Sequence, residues 1–167
     1  FFGPALLSGA AVCIAPDMQN RTLTSVFQQQ RPTWTMLTDP ILVKLQHEIS
    51  SGQIDFRSLR GIVGPNSAPK LRAATGAEAF HIFGMTEGVI TFTQPGDPQE
   101  MLDQTVGRPV HPQDEIRIVR PGTRTPVAEG EMGEAQFRGP YTIHGYYDAP
   151  ERNAEAFTDD GWYCSAT

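Results

Sequence analysis

One short run, Gly84-Met-Thr-Glu-Gly88, has residue types and spacing suited to chemistry. It follows an apolar segment directly, and glycines at both ends let backbone amides come close to a phosphate. The Thr86 hydroxyl can bond a phosphate oxygen, and the Glu87 carboxylate can hold Mg2+. The same five residues also suit a plain strand-to-helix turn capped by Thr86, and spacing alone does not separate the two readings. Gly64-Pro-Asn-Ser-Ala-Pro69 is a second turn of this kind, in which Asn66 and Ser67 can cap the next helix.

The remaining candidates point to packing. His47, His81, His111 and His144 are scattered without metal-ligand or nucleophile-partner spacing. Cys13 and Cys164 lie far apart with no CxxC, which excludes a structural zinc site or a disulfide framework. Cys13 falls in an apolar run and reads as an inert core thiol. No GxSxG is present; Asp159-Asp160-Gly161 reads as a turn, and Tyr146, Tyr147 and Trp162 read as packing residues.

The elements that must position the two loops are legible from periodicity. Gly9–Ala15 (GAAVCIA), Thr33–Leu37 (TWTML), Gly61–Gly64 (GIVG) and Glu78–Phe83 (EAFHIF) are short apolar or β-branched runs that predict strands. Between them, residues 21–30 place Leu23, Val26 and Phe27 on one helical face, and Pro32 stops the helix. Asp39-Pro40 opens a further helix with Asp39 as cap, a stripe of Ile41, Leu42, Leu45 and Ile49, and a stop at Gly52. Residues 68–75 predict a third. This alternation predicts an open parallel sheet with helices on its faces, and such sheets bind ligands in the loops after their strands. Pro95, Gly96 and Pro98 mark a linker. Beyond it, segments 114–119, 133–139 and 161–164 alternate as antiparallel strands do, with Ile116 and Ile118 against Arg117 and Val119. A helix spans residues 150–157. The division is residues 1–95, α/β, and residues 96–167, β-rich.

Composition narrows the function classes. Thirteen basic against nineteen acidic residues give a net charge of −6, so nucleic acid is not an expected partner. Apolar residues make up 39%, enough for a core. Residues 1–16 carry no charge, lack the basic flank of a signal peptide and are too short to span a bilayer, so no membrane association is expected. The missing initiator Met suggests an internal segment of a longer protein.

Two stretches together resemble the adenylate-forming superfamily. His81-Ile-Phe-Gly-Met-Thr-Glu-Gly88 is similar to its (Y/F)GMTE motif, and Gly133 through Tyr147 (GEAQFRGPYTIHGYY) is similar to its GEL…RGP…GY motif. Residues 150–165 (PERNAEAFTDDGWYCS) resemble the run into its TGD motif, and Gly107-Arg-Pro-Val with Asp114–Val119 fits its connecting strands. The details look nearest to the 2,3-dihydroxybenzoate or salicylate AMP ligases of siderophore and nonribosomal peptide assembly. The resemblance implies a flavodoxin-like parallel-sheet subdomain, followed by part of a small β-barrel subdomain. It implies a cytoplasmic ligase that converts an aromatic carboxylic acid and MgATP to an aryl-AMP. The acyl group then passes to the phosphopantetheine thiol of an aryl carrier protein. Alternatives are an acyl-CoA ligase, with CoA as acceptor, an amino-acid adenylation domain, or a non-catalytic nucleotide-binding or interaction remnant.

Carried onto this chain, the resemblance makes Thr86 a contact to the α-phosphate and Glu87 the Mg2+ ligand, the two catalytic positions. Gly64, Pro65, Asn66, Ile82, Phe83, Gly84 and Met85, with Thr86, form the nucleotide-binding set; Gly64, Gly84 and Val89 meet the acid. Two positions depart from the family pattern. Gly64-Pro65-Asn66 stands where Gly-Gly-Ala is usual, and the ribose-binding Asp of the TGD motif falls on Thr167, after Ala166. The phosphate loop, the hinge and the C-terminal domain with its catalytic Lys lie outside this sequence. The 167 residues alone are therefore expected to be inactive and prone to self-association.

Overall fold

A computed structural model describes residues 2–64 and 68–165. The chain forms two compact units, Phe1–His81 with Gln94–Thr105, and Ile82–Thr93 with Val106–Thr167.

The first unit is α/β. Helix α1 (Phe2–Leu7) precedes α2 (Asn20–Gln30), β1 (Trp34–Met36), α3 (Asp39–Lys44), α4 (Gln46–Ser50), β2 (Gly61–Gly64) and α5 (Ala68–Thr75). Strand β3 (Glu78–Met85) begins in this unit, and α6 (Gln99–Gln104) closes it. β2 pairs in parallel with β1, Trp34 opposite Gly61, and with β3, Gly64 opposite His81. All four residues of β2 are buried, as a central parallel strand requires. The core gathers Leu23 and Phe27 of α2, Leu37, Leu45, Ile54, Phe56, Leu59, Ile62, Leu71 and Ala79. Gly64 permits close packing at the end of β2. A Cβ there would stand 2.6 Å from both the Leu37 carbonyl oxygen and Leu71 Cδ1.

Several expectations are corrected in this unit. Residues 10–15 form no strand, and Ile14 is 69% exposed. Apolar composition makes a strand only where a ladder partner satisfies the backbone, and these residues have none. Cys13 is therefore exposed rather than a core thiol, with Sγ 3.8 Å from Gln30 Oε1. The helix that starts at Asp39 is broken at Leu45, and Thr38 rather than Asp39 occupies the cap position. The side chain of Leu45 enters the core, and the adjacent Lys44 carbonyl accepts a hydrogen bond from Asn20 Nδ2 at 2.9 Å. Helix α6, after the Pro95–Pro98 turn, was not expected from the sequence.

The second unit is β-rich. The end of β3 pairs antiparallel with β4 (Gly88–Phe92), which pairs antiparallel with β5 (Arg108–Pro109). Strands β6 (Glu115–Val119), β7 (Glu134–Arg138) and β8 (Tyr163–Cys164) form an antiparallel sheet, with α7 (Pro150–Ala156) between β7 and β8. Val89, Phe137, Ala156 and Tyr163 make its core, backed by Met85, Tyr146 and Phe157. In β6 the expected alternation is present, with Arg117 and Val119 on the inner side. Ile116 and Ile118 are exposed, and Val119 is buried. Arg117 can face inward because its Nε donates to Gln136 Oε1 at 2.8 Å and its guanidinium lies 4.2 Å from the Trp162 ring centre. Tyr147, expected to pack, is 99% exposed, whereas Trp162 is buried.

Candidate functional site: the Thr86–Glu87 turn

The Gly84–Gly88 run is a hairpin turn, not a strand-to-helix turn. Thr86 and Glu87 are the two residues that reverse the chain from β3 into β4. The β-branched run Val89-Ile90-Thr91 favours a second strand over a helix, a signal present in the sequence. The register shifts between Gly84 and Met85, and Val89 sits at φ +35°, a conformation rare for a β-branched residue. Such bulges re-aim neighbouring side chains.

A distant segment holds this turn. The Ile143 amide donates to the Glu87 carbonyl at 2.8 Å, and Thr142 packs so close to Gly88 that a Cβ there would overlap it. The Glu87 side chain is held as well. Tyr146 donates its hydroxyl to Glu87 Oε1 at 3.0 Å, and Thr86 donates to Oε2 at 3.0 Å. Its own backbone amide, then Tyr146 and Thr86, keep the Glu87 carboxyl below the usual carboxylate range. Glu87 is thus an anion at neutral pH. The Tyr163 hydroxyl stands 3.0 Å from that of Tyr146, and burial, with the Tyr146 bond, pushes the Tyr163 phenol up to about 12.

Tyr146 is itself fixed by α7. Asn153 Oδ1 accepts from the Tyr146 amide at 2.7 Å, while Asn153 Nδ2 donates to the Tyr146 carbonyl at 2.9 Å. The sequence marks Tyr146 as a packing residue and carries no signal for Asn153 or Tyr163 at the site. The GY pair of the second motif was the available signal for Tyr146.

The expected site residues fall in different places. Ile82, Phe83, Gly84, Met85, Thr86 and Glu87 are consecutive at the end of β3 and in the turn, with Phe83 and Thr86 exposed and Glu87 half-buried. Val89 follows them but is buried against Phe137, Ala156 and Tyr163. Gly64 ends β2 in the first unit. Pro65, Asn66 and Thr167 lie outside the described residues.

The donor set tests the expected metal. Among the described residues no group of three or more His, Cys, Asp and Glu side chains can hold an ion. One ionised carboxylate does not make a protein cage. It fits Mg2+, which is commonly held by one or two carboxylates with substrate phosphates and water completing the shell.

Residues 1–147 match the family described as AMP-binding enzyme. The chain belongs to that family. Among AMP-binding enzymes it is 38% identical over 168 residues to the salicyl-AMP ligase / salicyl-S-ArCP synthetase of Mycobacterium tuberculosis, covering 96% of this chain and 29% of that protein. It is also 38% identical over 165 residues to the 2-hydroxy-7-methoxy-5-methyl-1-naphthoate–CoA ligase of Streptomyces carzinostaticus, covering 95% of this chain and 29% of that one. The apo structure of MbtA from Mycobacterium smegmatis superposes with a TM-score of 0.81 at 31% identity, over 96% of this chain and 30% of MbtA. The chain therefore spans about 30% of the length of these AMP-binding relatives. No helix among the described residues is long and apolar enough to cross a membrane.

Proposed function

We propose that this chain is part of a ligase that joins an aromatic carboxylic acid to AMP, using ATP, and then passes the acyl group to a carrier-protein thiol. The observation that carries the reading is the Thr86–Glu87 turn: an exposed hydroxyl beside an anionic, anchored carboxylate, in a chain of the AMP-binding family. The aromatic acid and the carrier are supported by the salicyl-AMP ligase / salicyl-S-ArCP synthetase, whose name states both. At the family level, residues 1–95 are the second α/β subdomain and residues 96–167 part of the β-barrel subdomain. In sequence, each compact unit draws residues from both sides of that division.

In the reaction, an oxygen of the acid's carboxylate bonds to the α-phosphorus, the bond to the bridging oxygen breaks, and pyrophosphate leaves. The carrier thiol then gives its proton to solvent as its sulfur bonds the acyl carbon, and AMP departs with the electrons of the broken acyl–oxygen bond. Catalysis of this kind rests on positioning and on neutralising charge. The Thr86 hydroxyl rotates from Glu87 to donate to the α-phosphate. Glu87 would hold Mg2+, which when bound would neutralise phosphate charge. Ile82, Phe83, Gly84 and Met85 line the nucleotide along the exposed end of β3, and Gly84 leaves room for the acid. Val89 shapes the floor from beneath. Gly64, Pro65 and Asn66 are kept as nucleotide or acid contacts on the resemblance alone. Cytoplasm is the proposed location, where ATP and carrier proteins meet.

The test is carboxylate-dependent ATP–pyrophosphate exchange by the full-length protein carrying this chain, with salicylate, 2,3-dihydroxybenzoate, fatty acids and amino acids. Exchange with an aryl acid, reduced about a hundredfold or more in Glu87→Ala, is the expected result. No exchange with any acid overturns the reading. Transfer to CoA in place of a carrier protein supports the second reading, which the naphthoate–CoA ligase relative favours.

A further inference from the structure

We propose that Tyr146, held in place by Asn153, is a positioning residue that dedicates one oxygen of Glu87 to the protein and leaves the other for a divalent cation. The inference rests on the reading of Glu87 as a metal ligand.

Hydrogen-bond inventory sets the direction of the chain of contacts. A tyrosine hydroxyl has one hydrogen to give and two lone pairs to accept with. Tyr146 gives its hydrogen to Glu87 Oε1, since an ionised carboxylate only accepts. Tyr163, 3.0 Å away on the same hydroxyl, must then donate to Tyr146. Donation runs Tyr163 to Tyr146 to Glu87, and each bond polarises the next. Oε1 is committed to this chain. Oε2 accepts from the hydroxyl of the exposed Thr86, a bond given up when that hydroxyl turns to the α-phosphate. A cation that also takes substrate phosphate would then be held through Oε2, the oxygen whose partner can move away, as Mg2+ is commonly held by one carboxylate with phosphate and water.

Asn153 supplies what holds the hydroxyl on target. Its amide accepts from the Tyr146 N–H at 2.7 Å and donates to the Tyr146 C=O at 2.9 Å, as a neighbouring strand would. Asp at this position could accept but not donate, and Leu could do neither. The Ile143 amide on the Glu87 carbonyl ties the same loop to the turn it serves. The backbone of residue 146 and that of residue 87 are thus fixed, and the carboxylate–hydroxyl distance with them. Partners that orient a metal ligand typically cost 10–100-fold in metal affinity when removed.

The experiment uses the full-length protein with a non-hydrolysable α,β-methylene analogue of ATP and follows Mn2+ binding by loss of the free-ion EPR signal. Tyr146→Phe and Asn153→Ala should each weaken Mn2+ binding roughly tenfold, with analogue affinity in EDTA unchanged. In the exchange assay both should raise KM for the metal and recover kcat at saturating metal, whereas Glu87→Ala should not recover. Tyr146→Phe removes one oxygen atom, so it decides the matter even where Asn153→Ala fails to fold. Wild-type Mn2+ affinity in Tyr146→Phe, with exchange intact, overturns this inference and leaves the proposed function standing. A wild-type protein that binds no Mn2+ with the analogue overturns both.

Discussion

Gly88 and Thr142 meet so closely that a Cβ on the glycine would stand 2.7 Å from the threonine hydroxyl oxygen and 2.8 Å from its Cα. The hairpin turn and the loop before Tyr146 are locked at this contact. Gly88 also holds φ +152°, which L-residues rarely adopt. The Thr142 Cα, a backbone atom, cannot turn aside as a flexible side chain would. Gly88→Ala should therefore cost about 2 kcal/mol or more, from backbone strain and overpacking together. Urea denaturation measures the loss. A stability within about 0.5 kcal/mol of wild type would show that Thr142 is not held against the turn.

In the first unit, Leu71 is fully buried and its Cδ1 packs at the end of β2. Leu71→Ala removes three carbons from a closed core and should cost about 2–5 kcal/mol in the same assay. A cost below about 1 kcal/mol would place Leu71 at a solvent-accessible face.

Trp162 meets two guanidinium groups, Arg117 at 4.2 Å and Arg138 at 4.7 Å from its ring centre. It is 7% exposed, so the contact is largely desolvated. Arg117→Leu removes the nearer cation and the Gln136 bond, and should cost about 1–2 kcal/mol. Arg117→Lys keeps the charge but not the flat stacking surface, and should recover only part of this. Equal stability in all three proteins would remove the stacking argument.

Alkaline pH should weaken the second unit through Tyr163. Its phenol is pushed up to about 12 by burial and by the Tyr146 bond. An unfolded tyrosine ionises near about 10. The unfolded chain gives up its proton first as pH rises, so the contribution is whole below about pH 10 and is lost as pH climbs through about 12. The difference in urea midpoint between wild type and Tyr163→Phe, measured at pH 9 and at pH 11.5, reads this out. A pH-independent difference would contradict it.

The parallel part of the fold was legible because its signals are local. Strand β2 and helix α5 lie at the residues that periodicity indicates, 61–64 and 68–75. GIVG is an uninterrupted apolar run, and its burial on both faces is what such a run requires. The run at 9–15 has the same character but no strand partner, and it is exposed. Nothing within seven residues distinguishes the two cases; pairing does. In β6, the alternation of Ile116 and Ile118 with Arg117 and Val119 does not say which side faces in; Arg117 takes the inner side with Val119, because Gln136 and Trp162 receive it there.

For the site, the sequence by itself determined the chemical types. It marked Thr86 and Glu87 between glycines after an apolar strand, and the two motifs together pointed to the family. The tertiary structure decided the rest: a hairpin in place of a helix start, Gly88 pressed against Thr142, and Glu87 bonded to a tyrosine 59 residues further along the chain. Side-chain chemistry is a property of the residue and can be read in order. Which oxygen is occupied, and by which hydroxyl, depends on contacts between segments remote in sequence, and folding alone brings those together.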